Sequence, residues 1–330
     1  MRLVSYNVEW FAQLFDAQNQ LIRDDGWSGR RDVTRQRQLE ALGTVFTALD
    51  ADAVMVIEAP DTGRTQSTVT ALERFADLFQ LRARRAVMGF ANDTQQEIAL
   101  LFDPDRLSAV HAPQHSPGAP RFDESFHIDL DVDSTRDKVR FSKPPLELDV
   151  TTKSGQKLHL IGAHLKSKAP HGARNDAAVM RISIANRRKQ LAQAIWLRAR
   201  LESHLNADTP LILMGDLNDG PGLDEYEHLF GRSSVEIVLG DDLFDPHARH
   251  ALLRRLGAAA TTARFKVHGE ERYLQALLDY IMISPDLRQN TPVWRIWHPF
   301  DDARCWTMPE LRDALLDASD HFPVSLDLDI

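Results

Sequence analysis

Carboxylates, amides and imidazoles recur in this chain where short apolar runs end. "LILMGDLND" carries Asp216 and Asn218, "SYNVEWF" carries Asn7 and Glu9, and "VMVIEAP" carries Glu58. "LIGAHLKSK" supplies His164 and Lys166, "LLDYIMI" sets Asp279 inside an apolar run, and "ASDHFPV" sets Asp320 and His321 before the last one. Each has a plain structural explanation when taken singly. Asp216 and Asn218 suit an Asx turn, Glu58 a solvated strand end, His164 a satisfied half-buried histidine and Asp279 a buried group with a nearby donor. Six strand ends offering only oxygen and imidazole groups point further, because ligands of open α/β sheets gather at one edge of the strands.

The chemistry that suits such a set is hydrolysis of a phosphate ester. Glu58 and Asp320, with Asn7 or Glu9, offer hard oxygen ligands that select Mg²⁺ or Mn²⁺ over zinc. His164, Lys166 and His321 would donate to charge developing on the phosphoryl group. Asp216 is the candidate to orient or deprotonate the attacking water, and Asn218 to fix that water or the phosphate. Asp279 would hold His321 in one tautomer.

Positioning these groups requires alternating strands and helices. Leu3 to Val8, Ala53 to Ile57, Ile98 to Phe102, Leu158 to His164, Leu211 to Met214 and Leu277 to Ile283 read as strands. Between them, Leu39 to Leu49, Val69 to Phe79 and Asp176 to Leu205 carry helical spacing, which suggests two similar halves. His111 to Asp137 reads as an excursion from the core, and "VRFSKPPLELDV" as an edge strand, because proline cannot donate to a ladder. Trp294 to Trp306 reads as irregular, a short helix falls near Glu310 to Leu316, and "FPVSLDLDI" alternates like a half-exposed strand.

Composition is that of a globular protein: 330 residues, 43% hydrophobic and 26% charged. A net charge of −9 and a pI near 5.8 argue against coating of duplex nucleic acid by charge neutralisation, but a site built of carboxylates is locally acidic before metal binds. The single cysteine, Cys305, excludes a disulfide framework and a cysteine zinc cluster. No signal segment or membrane span is legible, so the expectation is a cytoplasmic protein with no membrane association, and nothing signals an obligate protein partner. GxxxxGK[ST] and GxSxG are both absent.

Taken in order from position 5 to 324, "SYNVEWF", "VIEAP", "AHLKSK", "GDLND", "LDYIMI" and "SDHFPV" resemble the endonuclease/exonuclease/phosphatase superfamily, which shares the fold of pancreatic deoxyribonuclease. The resemblance implies an α/β (α+β) four-layer sandwich of two packed mixed β-sheets flanked by helices, one domain over 1–330, and a Mg²⁺-dependent site at one end. Carried over by position, it implies metal binding by Glu58, with Asn7 and Glu9 matching the family's Asn and acidic position. It likewise implies phosphate binding by His164, the Asp-x-Asn pair at Asp216 and Asn218, a histidine-orienting Asp279, and the terminal pair Asp320 and His321. Two departures show: Ile57 stands where Gln often precedes the metal-binding Glu, and Lys143 where related bacterial members often carry Arg, exchanging a bidentate phosphate contact for a point charge.

Other basic groups are substrate-binding candidates. Arg187 and Arg188 lie on the long helix, where a solvated face is the competing explanation, and Lys166, Lys168, His171 and Arg174 form a loop after His164. "HARH" at 247 to 250 reads as surface, and "VWRIWHPF" at 293 to 300 is suited either to stacking a base or sugar or to alternating strand packing. The expected function is metal-dependent cleavage of P–O bonds by direct water attack, as a nuclease or phosphodiesterase acting on a phosphate-ester substrate, with nucleic acid among the candidates. The alternatives are a monoesterase for a small sugar or inositol phosphate and a non-catalytic scaffold of the same fold.

Overall fold

The computed structural model describes all residues except 117, 130–136, 171, 174, 208, 221–230, 254–259 and 267–270. One sheet has the spatial order β14 (Val293–Ile296), β15 (Val324–Asp327), β1 (Arg2–Asn7), β2 (Ala53–Ala59), β4 (Glu97–Phe102), β3 (Arg85–Met88). The other runs β13 (Asp279–Ile283), β10 (Leu211–Asp216), β9 (Lys157–His164), β8 (Leu146–Thr152), β5 (Leu107–His111). Two ribbons stand apart: β6 (Phe126–Ile128) with β7 (Asp137–Val139), and β11 (Ala263–Lys266) with β12 (Tyr273–Ala276). Each main sheet is built on a parallel pair joined through a helix, β1 to β2 by way of α1 (Arg35–Leu49) and β9 to β10 by way of α3 (Asp176–Leu205). In each half the second strand of the pair then meets an antiparallel neighbour, β4 or β13.

Period-two alternation sorts the strand residues into layers. Leu3, Met55, Ile57, Leu160, Ile212, Met214 and Ile281 meet in one core between the sheets. Their neighbours Val4, Tyr6, Val54 and Val56 face outward against α1, α2 (Thr68–Leu78) and α7 (Pro309–Ala318). On the far side Ile161, Ala163, Leu213, Tyr280 and Met282 pack with α3 and α4 (Ser234–Leu239), beside α5 (Pro246–Leu253). The result is helices, sheet, sheet, helices. At Gly162 the sheets approach so closely that a Cβ would lie 2.4 Å from Met55 Sδ.

The prolines of "FSKPPLELDV" do not mark an edge strand. Pro144 and Pro145 precede Leu146, so β8 keeps all its donors and pairs with β9 on one side and β5 on the other. The Trp-rich segment is likewise ordered, as β14 followed by α6 (Ala303–Thr307). Among the described residues, no helix is long and apolar enough to cross a membrane.

Candidate active site

At one end of the inter-sheet core, polar groups replace the apolar ones. Asp216 is the cross-strand neighbour of both His164 and Asp279, and all three share the parity of the inward-facing Leu160, Met214 and Ile281. The preceding Gly215 has φ +142, and a Cβ there would lie 2.0 Å from the Ala163 carbonyl oxygen. Glycine is therefore what lets Asp216 end the strand.

Glu58 reaches the same space by a different device. Strict alternation would turn it outward with Val54 and Val56, but the β2 to β4 register shifts between Ile57 and Ala59, and Glu58 has φ +62. The bulge returns its carboxylate to the inter-sheet side, where Oε2 accepts from Gln96 Nε2 at 2.6 Å and Oε1 lies 3.6 Å from Lys143 Nζ and 3.9 Å from His164 Nε2. A bulky residue in the left-handed region costs roughly 1–3 kcal/mol, a pattern that concentrates at functional sites.

Hydrogen bonds knit the two sheets at this end. Asn7 Nδ2 donates to Asp216 Oδ2 at 3.0 Å, while the Asn218 backbone N–H donates to Asp216 Oδ1 at 2.7 Å and its side-chain amide to Oδ2 at 3.2 Å. The Asx turn suggested by the sequence is thus present and orients the carboxylate. His321 Nδ1 lies 2.7 Å from Asp279 Oδ2, and Nε2 lies 4.0 Å from both Asp216 Oδ2 and Asp320 Oδ1. Asp216, Asp279 and His321 place donor atoms within 4.8 Å of one another.

The buried setting changes the charges. Burial pushes the Asp216 and Asp320 carboxyls up to about 7, against the pull of His321, and pushes Glu58 up against the pull of Lys143. Burial also works against a charged His321, but Asp279, Asp216 and Asp320 together hold its pKa well above the ordinary value. His164 goes the other way, neutral because of burial and the nearby Lys143, whose Nζ is 3.2 Å from its Nδ1. Burial lowers the Lys143 and Lys166 amines too.

Oxygen donors suited to a hard divalent cation are present. Asn7 Oδ1 is buried without a hydrogen-bond partner among the described residues, and the Glu58 and Asp320 carboxyls are raised in a way that a cation would reverse. Glu9 is placed differently: Oε1 accepts from Trp10 Nε1 at 2.8 Å and Oε2 from Arg30 Nη1 at 2.5 Å. Arg188 donates to Asp137 at 3.1 Å on the exposed side of α3, whereas Arg187 is buried and donates to Asp219 at 3.0 Å. Both arginines are thus engaged by carboxylates outside the cluster. Lys168 donates to Asp219 at 2.6 Å, while His171 and Arg174 lie outside the described residues.

Several contributors carry no sequence signal of their own. Ser319 Oγ donates to the Asn7 carbonyl at 2.8 Å and accepts from the Glu9 and His321 N–H groups, both at 3.2 Å. Thr262 Oγ1 donates to Asp279 Oδ2 at 2.8 Å, and Gln96 and Arg30 hold Glu58 and Glu9 as described. Only Ser319 had a cue, its place next to Asp320 and His321.

The chain matches the profile of the Endonuclease/Exonuclease/phosphatase family over residues 4–321. No curated protein sequence matches it significantly. Among solved structures it is similar to truncated TDP2 of Caenorhabditis elegans, with 13% identity, TM-score 0.51, 98% of this chain and 96% of that one covered. It is also similar to D. rerio TDP2 complexed with single strand DNA product, with 14% identity, TM-score 0.51 and coverage of 99% and 97%. A third likeness is to the mannosyl-6-phosphatase Bt3783 of Bacteroides thetaiotaomicron, with 15% identity, TM-score 0.51 and 99% of each chain covered.

Proposed function

The chain belongs to the endonuclease/exonuclease/phosphatase family, and from that premise we propose that it is a divalent-metal-dependent phosphodiesterase that hydrolyses P–O bonds by direct attack of water. The observation that carries this reading is the convergence of Asn7 and Glu58 from one sheet with His164, Asp216 and Asp279 from the other, beside Asp320 and His321. Because both sheets contribute, we take residues 1–330 as one catalytic domain.

Asn7, Glu58 and Asp320 would hold the cation, Mg²⁺ or Mn²⁺, which when bound neutralises charge on the phosphate. Asp216, fixed by Asn7 and Asn218, is positioned to take a proton from the attacking water as the new P–O bond forms and the ester P–O bond breaks. The leaving oxygen takes its proton from solvent. His321, kept cationic by Asp279, donates from Nε2 to a phosphoryl oxygen, while His164 contributes as a neutral donor. Lys143 and Lys166 supply positive charge beside His164, and Lys143 does so as a point charge from within the cluster.

The test is hydrolysis of paired chromogenic phosphate mono- and diesters with Mg²⁺, Mn²⁺ or chelator, with Asp216→Asn protein as the control for contaminants. Diester cleavage that needs both metal and Asp216 is the expected result. Monoester cleavage alone would move the assignment to a phosphatase, and cleavage that survives chelation would overturn the metal dependence.

A further inference from the structure

Three of the five described aromatics that are substantially exposed, Tyr273 (43%), Phe300 (38%) and Trp306 (51%), stand in one row. Arg264 joins them: its guanidinium carbon is 3.4 Å from the Tyr273 ring centre and 5.5 Å from that of Phe300. Phe300 and Trp306 are 6.2 Å apart between centres, and the Arg312 guanidinium lies 5.4 Å from Trp306. Rings and guanidinium planes thus continue from β12 across β11 to α6 and α7.

The row begins at the site. The Arg264 N–H donates to the Asp320 carbonyl at 2.7 Å, and the ring of the next residue, Phe265, meets His321 edge to face at 5.6 Å. Two neighbouring carboxylates are paired with arginine and offer little repulsion: Asp302 with Arg295 and Asp313 with Arg312. Burying these rings in the core would stabilise the protein, and exposed apolar groups gathered in one patch mark a binding surface. Rings interspersed with guanidinium planes match the flat faces and phosphates of unpaired nucleotides, whereas the bases of a duplex are already stacked on each other.

We infer that Arg264, Tyr273, Phe300 and Trp306, with Arg312 behind Trp306, form a stacking platform for single-stranded nucleic acid leading away from the cleavage site. This rests on the phosphodiesterase reading for the position of the cleaved bond, but binding to the platform requires no turnover. Two independent assays therefore separate them: anisotropy of a fluorescein-labelled single-stranded deoxythymidine decamer in chelator, and Mg²⁺-dependent hydrolysis of a small chromogenic diester.

Tyr273→Ala and Trp306→Ala should each weaken decamer binding by roughly ten-fold, within the range of one lost base stack, while Tyr273→Phe keeps the affinity. Small-diester turnover and the melting temperature should stay unchanged in all three. An abasic decamer should bind wild type no better than the Ala variants bind the thymidine strand. Equal binding of the abasic strand, unchanged affinity in both Ala variants, or no binding by wild type would each overturn the platform while leaving small-diester hydrolysis to decide the phosphodiesterase reading. A wild-type dimer in sedimentation that Trp306→Ala dissolves would overturn it too, by showing that the rings face a second copy of the chain.

Discussion

Asn7 Nδ2 donates to Asp216 Oδ2 at 3.0 Å across a sequence separation of 209 residues, joining the end of β1 in one sheet to the end of β10 in the other. The bond fixes the Asn7 amide, so its oxygen is directed away from Asp216, buried and without a partner among the described residues. One interaction between the sheets therefore orients the Asp216 carboxylate and leaves the Asn7 oxygen open, which is what the proposed roles in activating water and holding a cation require. The geometry depends on both sheets keeping register up to their last residue.

Asp216→Asn tests the first half of that relationship. The amide keeps the size of the carboxylate but removes the proton acceptor, so kcat on a chromogenic diester should fall about 10²- to 10⁴-fold. Folding should persist, because a buried carboxyl raised to about 7 is itself costly to ionise. Near-wild-type kcat in a well-folded variant would remove Asp216 from the chemistry.

Glu58 offers a more unusual outcome. Its φ of +62 suits glycine, but Glu58→Gly also removes the Gln96 bond and the Lys143 ion pair, so stability to urea in chelator should stay within about 1 kcal/mol of wild type. The same change removes a proposed metal ligand, so the additional stabilisation by Mg²⁺ should be much reduced. A variant destabilised by more than that, yet still gaining fully from Mg²⁺, would contradict both the strain and the ligand assignment.

Much of the architecture was legible because it depends on periodicity. The helix from Asp176 to Leu205 is opened by Asn175, whose side chain accepts from the Ala178 N–H at 2.8 Å, and apolar runs mark most strands of both sheets. Polar residues at strand ends pointed to where the site lies. Glu58 shows where periodicity stops being informative, since the bulge reverses its face and "VMVIEAP" contains no glycine to announce it. Arg30 and Thr262 were invisible for another reason: they reach Glu9 and Asp279 from loops 21 and 17 residues away, and loop paths have no period. β8 lies inside its sheet despite the two prolines in its run, because the strand begins just after them.

Ser319 tests whether such unsignalled groups matter. Ser319→Ala leaves the Glu9 and His321 N–H groups without this acceptor, which should cost roughly 1–3 kcal/mol of stability if water does not replace it. His321 would lose part of its anchoring, so kcat should fall more than KM rises. Thermal melts and steady-state kinetics on one preparation check both, and an unchanged kcat would confine Ser319 to a structural part.

The helix that carries Trp306 should respond to acid through Asp302. Burial alone would raise this carboxyl, but the Arg295 guanidinium, with bonds of 2.8 and 2.7 Å, and the Cys305 N–H at 2.9 Å outweigh it and bring the pKa to about 2. A carboxyl lowered on folding stabilises the native state above its unfolded pKa, near 4, and loses that contribution as pH falls through about 2. Asp302→Asn should therefore cost about 1 kcal/mol at pH 7 and progressively less toward pH 2, measured by denaturant unfolding across that range. A penalty of constant size at every pH would show that Asp302 acts through shape and capping geometry, with no contribution from its charge.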